Sequence, residues 1–262
     1  MHPSEPSSLA PPTGASGIVG AIPARYGSTR LPGKPLALIA GRPMIEHVYE
    51  RVAQARGLAR VVVLTDDERI AEVVEGFGGA WEMTPADCAS GTDRIAWAAR
   101  GWDERAVRAV INIQGDEPLI DPDGISRVAE HLAAHPEDPI VTLATPAAPE
   151  EMENPNAVKV VTDRAGAALY FSRAPIPYRR QEGGFGALKH LGIYGYQRAA
   201  LLRLAGLPPT PLEQSEALEQ LRALENGLAI RVLTVGRGSL GVDTEEDLVR
   251  VEEILTGATP SS

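Results

Sequence analysis

Three cations, Arg25, Arg30 and Lys34, lie close together on a stretch, residues 21–35, that also carries Gly27, Gly33 and three prolines. An apolar run precedes it and an amphipathic segment follows, so the order is strand, glycine-bearing loop, helix. Fixed cations on a loop whose glycines let backbone N–H groups approach closely suit a polyphosphate. The plain alternative is a solvated turn with incidental charge. Two carboxylates could serve the same chemistry. Asp116, in Gln114-Gly-Asp-Glu-Pro118, follows an apolar run on a glycine turn, where it either takes Mg²⁺ or stabilises its own turn. Asp243, in Gly241-Val-Asp-Thr-Glu-Glu-Asp-Leu248, either takes the same cation or caps the helix that follows. Two carboxylates and a cationic loop together point to metal-assisted phosphoryl or nucleotidyl transfer.

The elements that must hold these residues follow from periodicity. Residues 17–22 read as a strand and 43–52 as a helix burying Met44, Ile45, Val48 and Val52. Residues 61–64, 80–83 and 109–113 read as further strands, with helices over 68–77 and 93–102 between them. This β-α alternation predicts an α/β fold with an open, mostly parallel sheet and helices on both faces. Ligands of such sheets sit beyond the carboxyl ends of the strands, which is where the loops at 25–34 and 114–117 fall. The second half is less regular. It reads as a helix over 123–134, a strand over 139–144, a hairpin turning at 163–166, and a strand over 190–196. A helix over 211–224, a strand over 229–235 and a helix capped by Thr244 complete it. No internal repeat and no linker divides the chain, so residues 17–255 are expected to form one domain. Residues 1–16, rich in Pro, Ser and Ala, and 256–262 are expected to be loose extensions.

Composition narrows the function further. A formal charge of −10 on 262 residues argues against nucleic acid or an anionic membrane as partner, so any anion site is local. The single cysteine, Cys88, rules out an internal disulfide framework and fits a reducing cytoplasm. No apolar run reaches spanning length.

The cationic loop, Ile22-Pro-Ala-Arg-Tyr-Gly-Ser-Thr-Arg-Leu-Pro-Gly-Lys-Pro-Leu36, resembles the signature of the 3-deoxy-manno-octulosonate cytidylyltransferases, the CMP-Kdo synthetases. Ser90-Gly-Thr-Asp-Arg94, Asn112-Ile-Gln-Gly-Asp-Glu-Pro118, Asn154-Pro-Asn-Ala-Val-Lys-Val-Val161 and His190-Leu-Gly-Ile-Tyr-Gly-Tyr196 match in order. So do Leu218-Glu-Gln-Leu-Arg222 and the segment from Gly241 to Leu248. The resemblance implies a Rossmann-like nucleotidyltransferase sheet with a smaller mixed sheet and hairpin subregion. It implies a cytoplasmic homodimer that transfers CMP from CTP to the acidic 2-keto sugar Kdo, for lipopolysaccharide biosynthesis.

By the same resemblance, Arg25, Arg30 and Lys34 hold the triphosphate and offset charge on the leaving pyrophosphate, while Asp116 and Asp243 hold Mg²⁺. Gly27, Ser28, Ser90, Gly91, Thr92 and Gln114 contact nucleotide. Arg173 grips the sugar carboxylate, and His190, Tyr194, Glu219 and Gln220 face its hydroxyls. Taken singly, Arg173 reads equally as a surface ion pair, His190 as a core histidine, Tyr194 as sheet packing, and Glu219 with Gln220 as a wet helix face. Cys88 stands where many relatives carry a histidine. The remaining alternatives are a cytidylyltransferase for 8-amino-Kdo or a neuraminate, and a non-catalytic nucleotide-sugar-binding paralogue.

Overall fold

The structure, a computed structural model, describes residues 16–27, 31–178, 180–181, 186–236, 238 and 240–257. Ser28, Arg30, residues 1–15 of the expected N-terminal extension and 258–262 of the C-terminal one lie outside the described residues. The chain opens with β1 (Ile18–Ala24) and a 3₁₀ turn, Lys34–Leu36, followed by a short ribbon of β2 (Leu38–Ile39) and β3 (Arg42–Pro43). Next come α1 (Met44–Ala53), β4 (Arg60–Thr65), α2 (Glu68–Gly76), β5 (Trp81–Met83), α3 (Gly91–Gly101) and β6 (Ala109–Asn112). The second half holds α4 (Pro122–Ala134), β7 (Ile140–Pro146), β8 (Lys159–Thr162), β9 (Ala168–Ser172) and β10 (Leu188–Gln197). It ends with α5 (Arg198–Ala205), α6 (Pro211–Glu216), α7 (Gln220–Glu225), β11 (Ile230–Thr234) and α8 (Glu245–Thr256).

The main sheet runs β11-β7-β10-β6-β1-β4-β5. Pairing is parallel between β6, β1, β4 and β5 and between β11 and β7, while β10 is antiparallel to both neighbours, so it alone is reversed in this path. The hairpin β8–β9 attaches to β10 at Leu188 and Lys189 and forms the smaller mixed subregion. Alternation along the strands divides the core into two layers. On one face α3, α5 and α7 cover Val19, Ala21, Val110 and Tyr196. On the other, α1, α2, α4 and α8 cover Ile18, Ile22, Ile111 and Val141. Strands buried on both faces need continuous apolar runs, and Val61-Val-Val-Leu64 supplies one.

Helix starts are set by side chains. Asp67, Ser90, Asp121 and Thr244 are N-caps whose oxygens accept backbone N–H groups of the first turn, each contributing about 1 kcal/mol. Four differences from the sequence reading stand out. The helix expected over 211–224 is two helices, because Ala217 adopts a left-handed conformation (φ 50°) and turns Leu218 into the core. Helix α5 follows β10 without a break, capping its run with Ala200, Leu201 and Leu204 on the buried side. Thr256, expected in the loose tail, ends α8 and is followed by left-handed Gly257. Ser16, expected in the extension, is tied down at the other end: Arg108 Nη2 donates to its carbonyl at 2.7 Å. Among the described residues, no helix is long and apolar enough to cross a membrane.

Helix α4 rides directly on β10 at Gly195. A Cβ there would lie 2.5 Å from Val128 Cγ1 and 2.7 Å from Leu132 Cδ1, so the helix needs the missing side chain. Gly195→Ala is expected to destabilise the protein by about 1–3 kcal/mol through overpacking, seen as a lowered denaturant midpoint at unchanged m-value.

Candidate functional site

A cavity of about 320 Å³ opens at the carboxyl ends of β1 and β6. Pro23, Ala24 and Arg25 line it from the end of β1, and Lys34 and Pro35 from the 3₁₀ turn. Gln114, Gly115 and Asp116 follow β6, Asp243 precedes α8, and Cys88, Ala89, Ser90, Gly91 and Arg94 come from the start of α3. This is the crevice expected for the sheet, and the first turn of α3 points its N-terminus into it.

At its centre the Lys34 ammonium donates to Asp116 Oδ2 at 2.7 Å and Asp243 Oδ1 at 3.0 Å. Lys34 is nearly buried, with its side chain 12% exposed, while Asp243 is half-exposed at 52%. Asp243 is not the cap of α8. Thr244 is, with Asp247 reaching back to the backbone N–H groups of Asp243 and Thr244, so the Asp243 carboxylate is left for Lys34. The backbone joins the two loops as well: Val242 N donates to Asp116 O at 2.8 Å.

Two carboxylates that already converge on one cation fit Mg²⁺, which takes hard oxygen ligands and leaves places for phosphate and water. Among the described residues no group of three or more His, Cys, Asp or Glu side chains gathers, so an all-protein cage is not on offer. Lys34 was expected on phosphate. In the structure it has two carboxylate partners at the end of the cationic loop.

The other residues expected on nucleotide divide. Ser90 caps α3, its hydroxyl accepting from Asp93 N at 3.1 Å, and with Gly91 it lines the cavity. Thr92 turns inward, buried and hydrogen-bonded to Tyr196, and does not line it. Gln114 Nε2 donates to Gly192 O at 3.3 Å, tying the β6 loop to the irregular middle of β10. Gly27 is exposed beside the cavity rather than in its wall.

Arg94 was not singled out on its own and is the best-anchored cation in the wall. It is buried, donates to Asp66 Oδ2 at 2.8 Å and to Thr84 Oγ1, and so joins the ends of β4 and β5 to α3. Its sequence signal is position: it lies one helical turn after Ser90.

Arg173, His190, Tyr194, Glu219 and Gln220 do not line this cavity. They sit after β9, on β10 and at the start of α7. The His190 ring lies 5.1 Å from those of Tyr194 and Phe171. Thr142 Oγ1 donates to Ile193 O at 2.8 Å, so the 3.0 Å contact with His190 Nε2 is an N–H donation from the imidazole, which leaves Nδ1 as an acceptor. Tyr194 faces Asn112 across the β10–β6 pair. The Tyr194 hydroxyl and Asn112 Oδ1 are both buried and without a hydrogen-bond partner among the described residues. Such orphans are rare in folded proteins.

Arg173 holds the end of α6: Nε donates to Glu216 O at 2.7 Å, Nη1 to Pro155 O at 3.0 Å and Nη2 to Ala217 O at 3.2 Å. Lys159, fully buried, donates to the carbonyls of Arg173 at 2.6 Å and Asn154 at 2.9 Å, and burial pulls its amine below the usual range. Gln220 is buried, and Glu219 is partly exposed at the start of α7.

A family model described as Cytidylyltransferase matches residues 19–230. Fold and site therefore define a cytidylyltransferase. The 3-deoxy-manno-octulosonate cytidylyltransferase of Syntrophotalea carbinolica is 55% identical over 250 residues, covering 92% of this chain and 99% of that one. The protein of the same name from Geobacter sulfurreducens is 48% identical, covering 91% and 99%. A solved CMP:2-keto-3-deoxy-manno-octonic acid synthetase complexed with CTP superposes with a TM-score of 0.88 at 43% identity, covering 92% of this chain and 99% of that one. A 4-diphosphocytidyl-2C-methyl-D-erythritol synthase from Anaerococcus prevotii shares the fold at a TM-score of 0.60 and 12% identity, with 92% and 97% covered. The chain belongs to the 3-deoxy-manno-octulosonate cytidylyltransferase family.

Burial lowers the His190 imidazole to about 3 from its ordinary 6.5. Between these values the unfolded chain binds a proton that the folded chain refuses, so His190's contribution to stability is complete above pH 6.5 and lost as pH falls. Urea unfolding of the wild type against His190→Gln, from pH 7 to pH 4, is expected to show a shallower acid loss in the variant, the difference approaching about 1.4 kcal/mol per pH unit.

Proposed function

We propose that the protein transfers CMP from CTP to the anomeric hydroxyl of Kdo, releasing pyrophosphate, and so activates the sugar for lipopolysaccharide assembly in the cytoplasm. The observation that carries this reading is the convergence of Asp116 and Asp243 on Lys34 in the nucleotide-sized cavity. The sugar oxygen forms a bond to the α-phosphorus, and the bond from that phosphorus to the pyrophosphate oxygen breaks. Arg25 and Lys34, with Arg30 outside the described residues, hold the triphosphate and offset the charge that grows on pyrophosphate. Ser90, Gly91 and Gln114 line the nucleotide side, with Gly27 beside it, Thr92 buried within α3 and the N-terminus of α3 favouring negative charge. Ser28, outside the described residues, belongs to the same reading.

Asp116 and Asp243 would hold Mg²⁺, which when bound lowers repulsion between two anionic reactants and acidifies the sugar hydroxyl. An ammonium and a divalent cation compete for the same carboxylate oxygens, so Lys34 is the group freed to face phosphate.

On the sugar side, the described hydrogen bonds use three of the five N–H groups of Arg173, leaving two for a carboxylate. His190 Nδ1, the Tyr194 hydroxyl and Asn112 Oδ1 supply acceptors and a donor for sugar hydroxyls, with Glu219 and Gln220 closing that side. The irregular β10 joins the two halves, since the Gln114 bond to Gly192 runs between the loop of Asp116 and the strand of His190. A homodimer belongs to this reading, and light scattering at twice the 27.8 kDa chain mass would register it.

A pyrophosphate-release assay with CTP, Mg²⁺ and a panel of 2-keto sugar acids tests the reading. Turnover is expected with Kdo ahead of 8-amino-Kdo and neuraminate. Tight CTP binding with no turnover of any acid would make the protein a nucleotide-sugar binder instead. In the same assay Asp116→Asn is expected to lower kcat by roughly 10³-fold with an unchanged circular dichroism spectrum, several kcal/mol of transition-state stabilisation being at stake.

A further inference from the structure

The cationic loop is braced through Tyr26 by Arg69, a residue that does not line the cavity. Arg69, in the first turn of α2, lays its guanidinium over the Tyr26 ring, with Cζ 3.4 Å from the ring centroid. The guanidinium is kept in its plane by Asp67, whose two carboxylate oxygens accept from Nε at 2.9 Å and Nη2 at 2.6 Å. Asp67 is itself fixed twice. It caps α2 by accepting from Arg69 N at 3.0 Å, and its own N–H donates to the hydroxyl of buried Thr65 at the end of β4.

The Tyr26 ring also packs close to Gly33. Gly33 N donates to Tyr26 O at 3.0 Å, closing the loop across its neck. Gly33 has φ +70°, and a Cβ there would lie 3.1 Å from the ring. Only glycine satisfies both demands. Gly33 then starts the 3₁₀ turn that carries Lys34, with Leu36 N donating to Gly33 O at 2.8 Å. Tyr26 thus touches both the guanidinium and the glycine. Arg25 precedes Tyr26 and Lys34 follows Gly33, and both line the cavity.

We propose that Arg69 is a positioning residue for the nucleotide phosphates: stacked on Tyr26, it clamps the neck of the loop and sets the directions in which Arg25 and Lys34 project. The proposal rests on the reading of this loop as the triphosphate cradle. Arginine suits the task because its planar fork binds a carboxylate in the plane while its face stacks on an aromatic ring, whereas a lysine ammonium offers no plane for both contacts. A solvated ion pair between Arg69 and Asp67 alone would leave the loop untouched, so the ring contact gives the proposal its consequence.

The test measures CTP affinity by calorimetry, which needs no turnover, beside the two KM values. Arg69→Ala is expected to weaken CTP binding and raise its KM about fivefold, with the KM for the sugar acid and the Tm unchanged. Arg69→Lys should not restore affinity. Tyr26→Phe, which keeps the ring, should bind CTP like the wild type, and Tyr26→Leu should match Arg69→Ala. The double variant Arg69→Ala/Tyr26→Leu should be no weaker than either single one, because both remove one contact.

Wild-type CTP affinity in Arg69→Ala overturns the proposal. So does a rise in both KM values together with a fall in Tm, which would make Arg69 a structural residue only, and so do additive losses in the double variant. Failure of turnover in the wild type, by contrast, would strike the catalytic reading and leave the calorimetric comparison intact.

Discussion

One ammonium, Lys34, touches carboxylates that lie 82 and 209 residues away in the chain. Everything else in the site depends on that meeting. It needs β1 and β6 side by side, so that the loop after each opens at the same edge, and α8 docked against the face that α1 and α4 already cover. It needs Thr244 and Asp247 to complete their own capping box, because otherwise Asp243 would be spent on the helix end. The backbone bond from Val242 to Asp116 holds the last segment to the middle one whatever the side chains do. The site therefore exists only when the first and last parts of the chain have both folded.

A second constraint comes from β10. By running against its neighbours it brings His190 and Tyr194 to the same edge of the sheet as Gln114, across a register shift between Leu191 and Tyr194. It also anchors the β8–β9 hairpin, and there a fully buried lysine, Lys159, joins two loops through their carbonyls. Burying an ammonium is costly unless it is hydrogen-bonded, and two carbonyl acceptors meet part of that need. The stapled carbonyl of Arg173 belongs to the residue whose guanidinium holds the end of α6. The region around Arg173 and Lys159 is thus a network of backbone contacts made by charged side chains, and the cavity a set of strand-end loops.

Much of the fold was legible because its signals are local. Apolar runs such as 61–64 are buried on both sides, and Thr244 announces the start of α8 by type, whereas the caps Ser90 and Asp121 start their helices earlier than the periodicity does. The cationic loop and the two aspartates could be picked out by residue type and by their place after apolar runs. What escaped depends on contacts distant in sequence. Ala217 breaks a helix in a left-handed conformation that alanine rarely takes, a choice imposed by the packing of Leu218. Arg94 reads as an ordinary helical cation until Asp66 and Thr84 arrive from two other strand ends. Asn112 gains meaning only from standing opposite Tyr194 with neither group satisfied. Lys34, read as a phosphate ligand, could not reveal from sequence that two carboxylates would reach it first.

The proposed role of Asp116 and Asp243 is to form one divalent-cation site that nucleotide completes. Electron paramagnetic resonance of Mn²⁺, titrated into the protein with and without CTP, addresses it directly. Tight Mn²⁺ binding that requires CTP in the wild type, and that weakens in both Asp116→Asn and Asp243→Asn, is the expected result. Undiminished CTP-dependent binding in the double variant would contradict it and place the cation elsewhere.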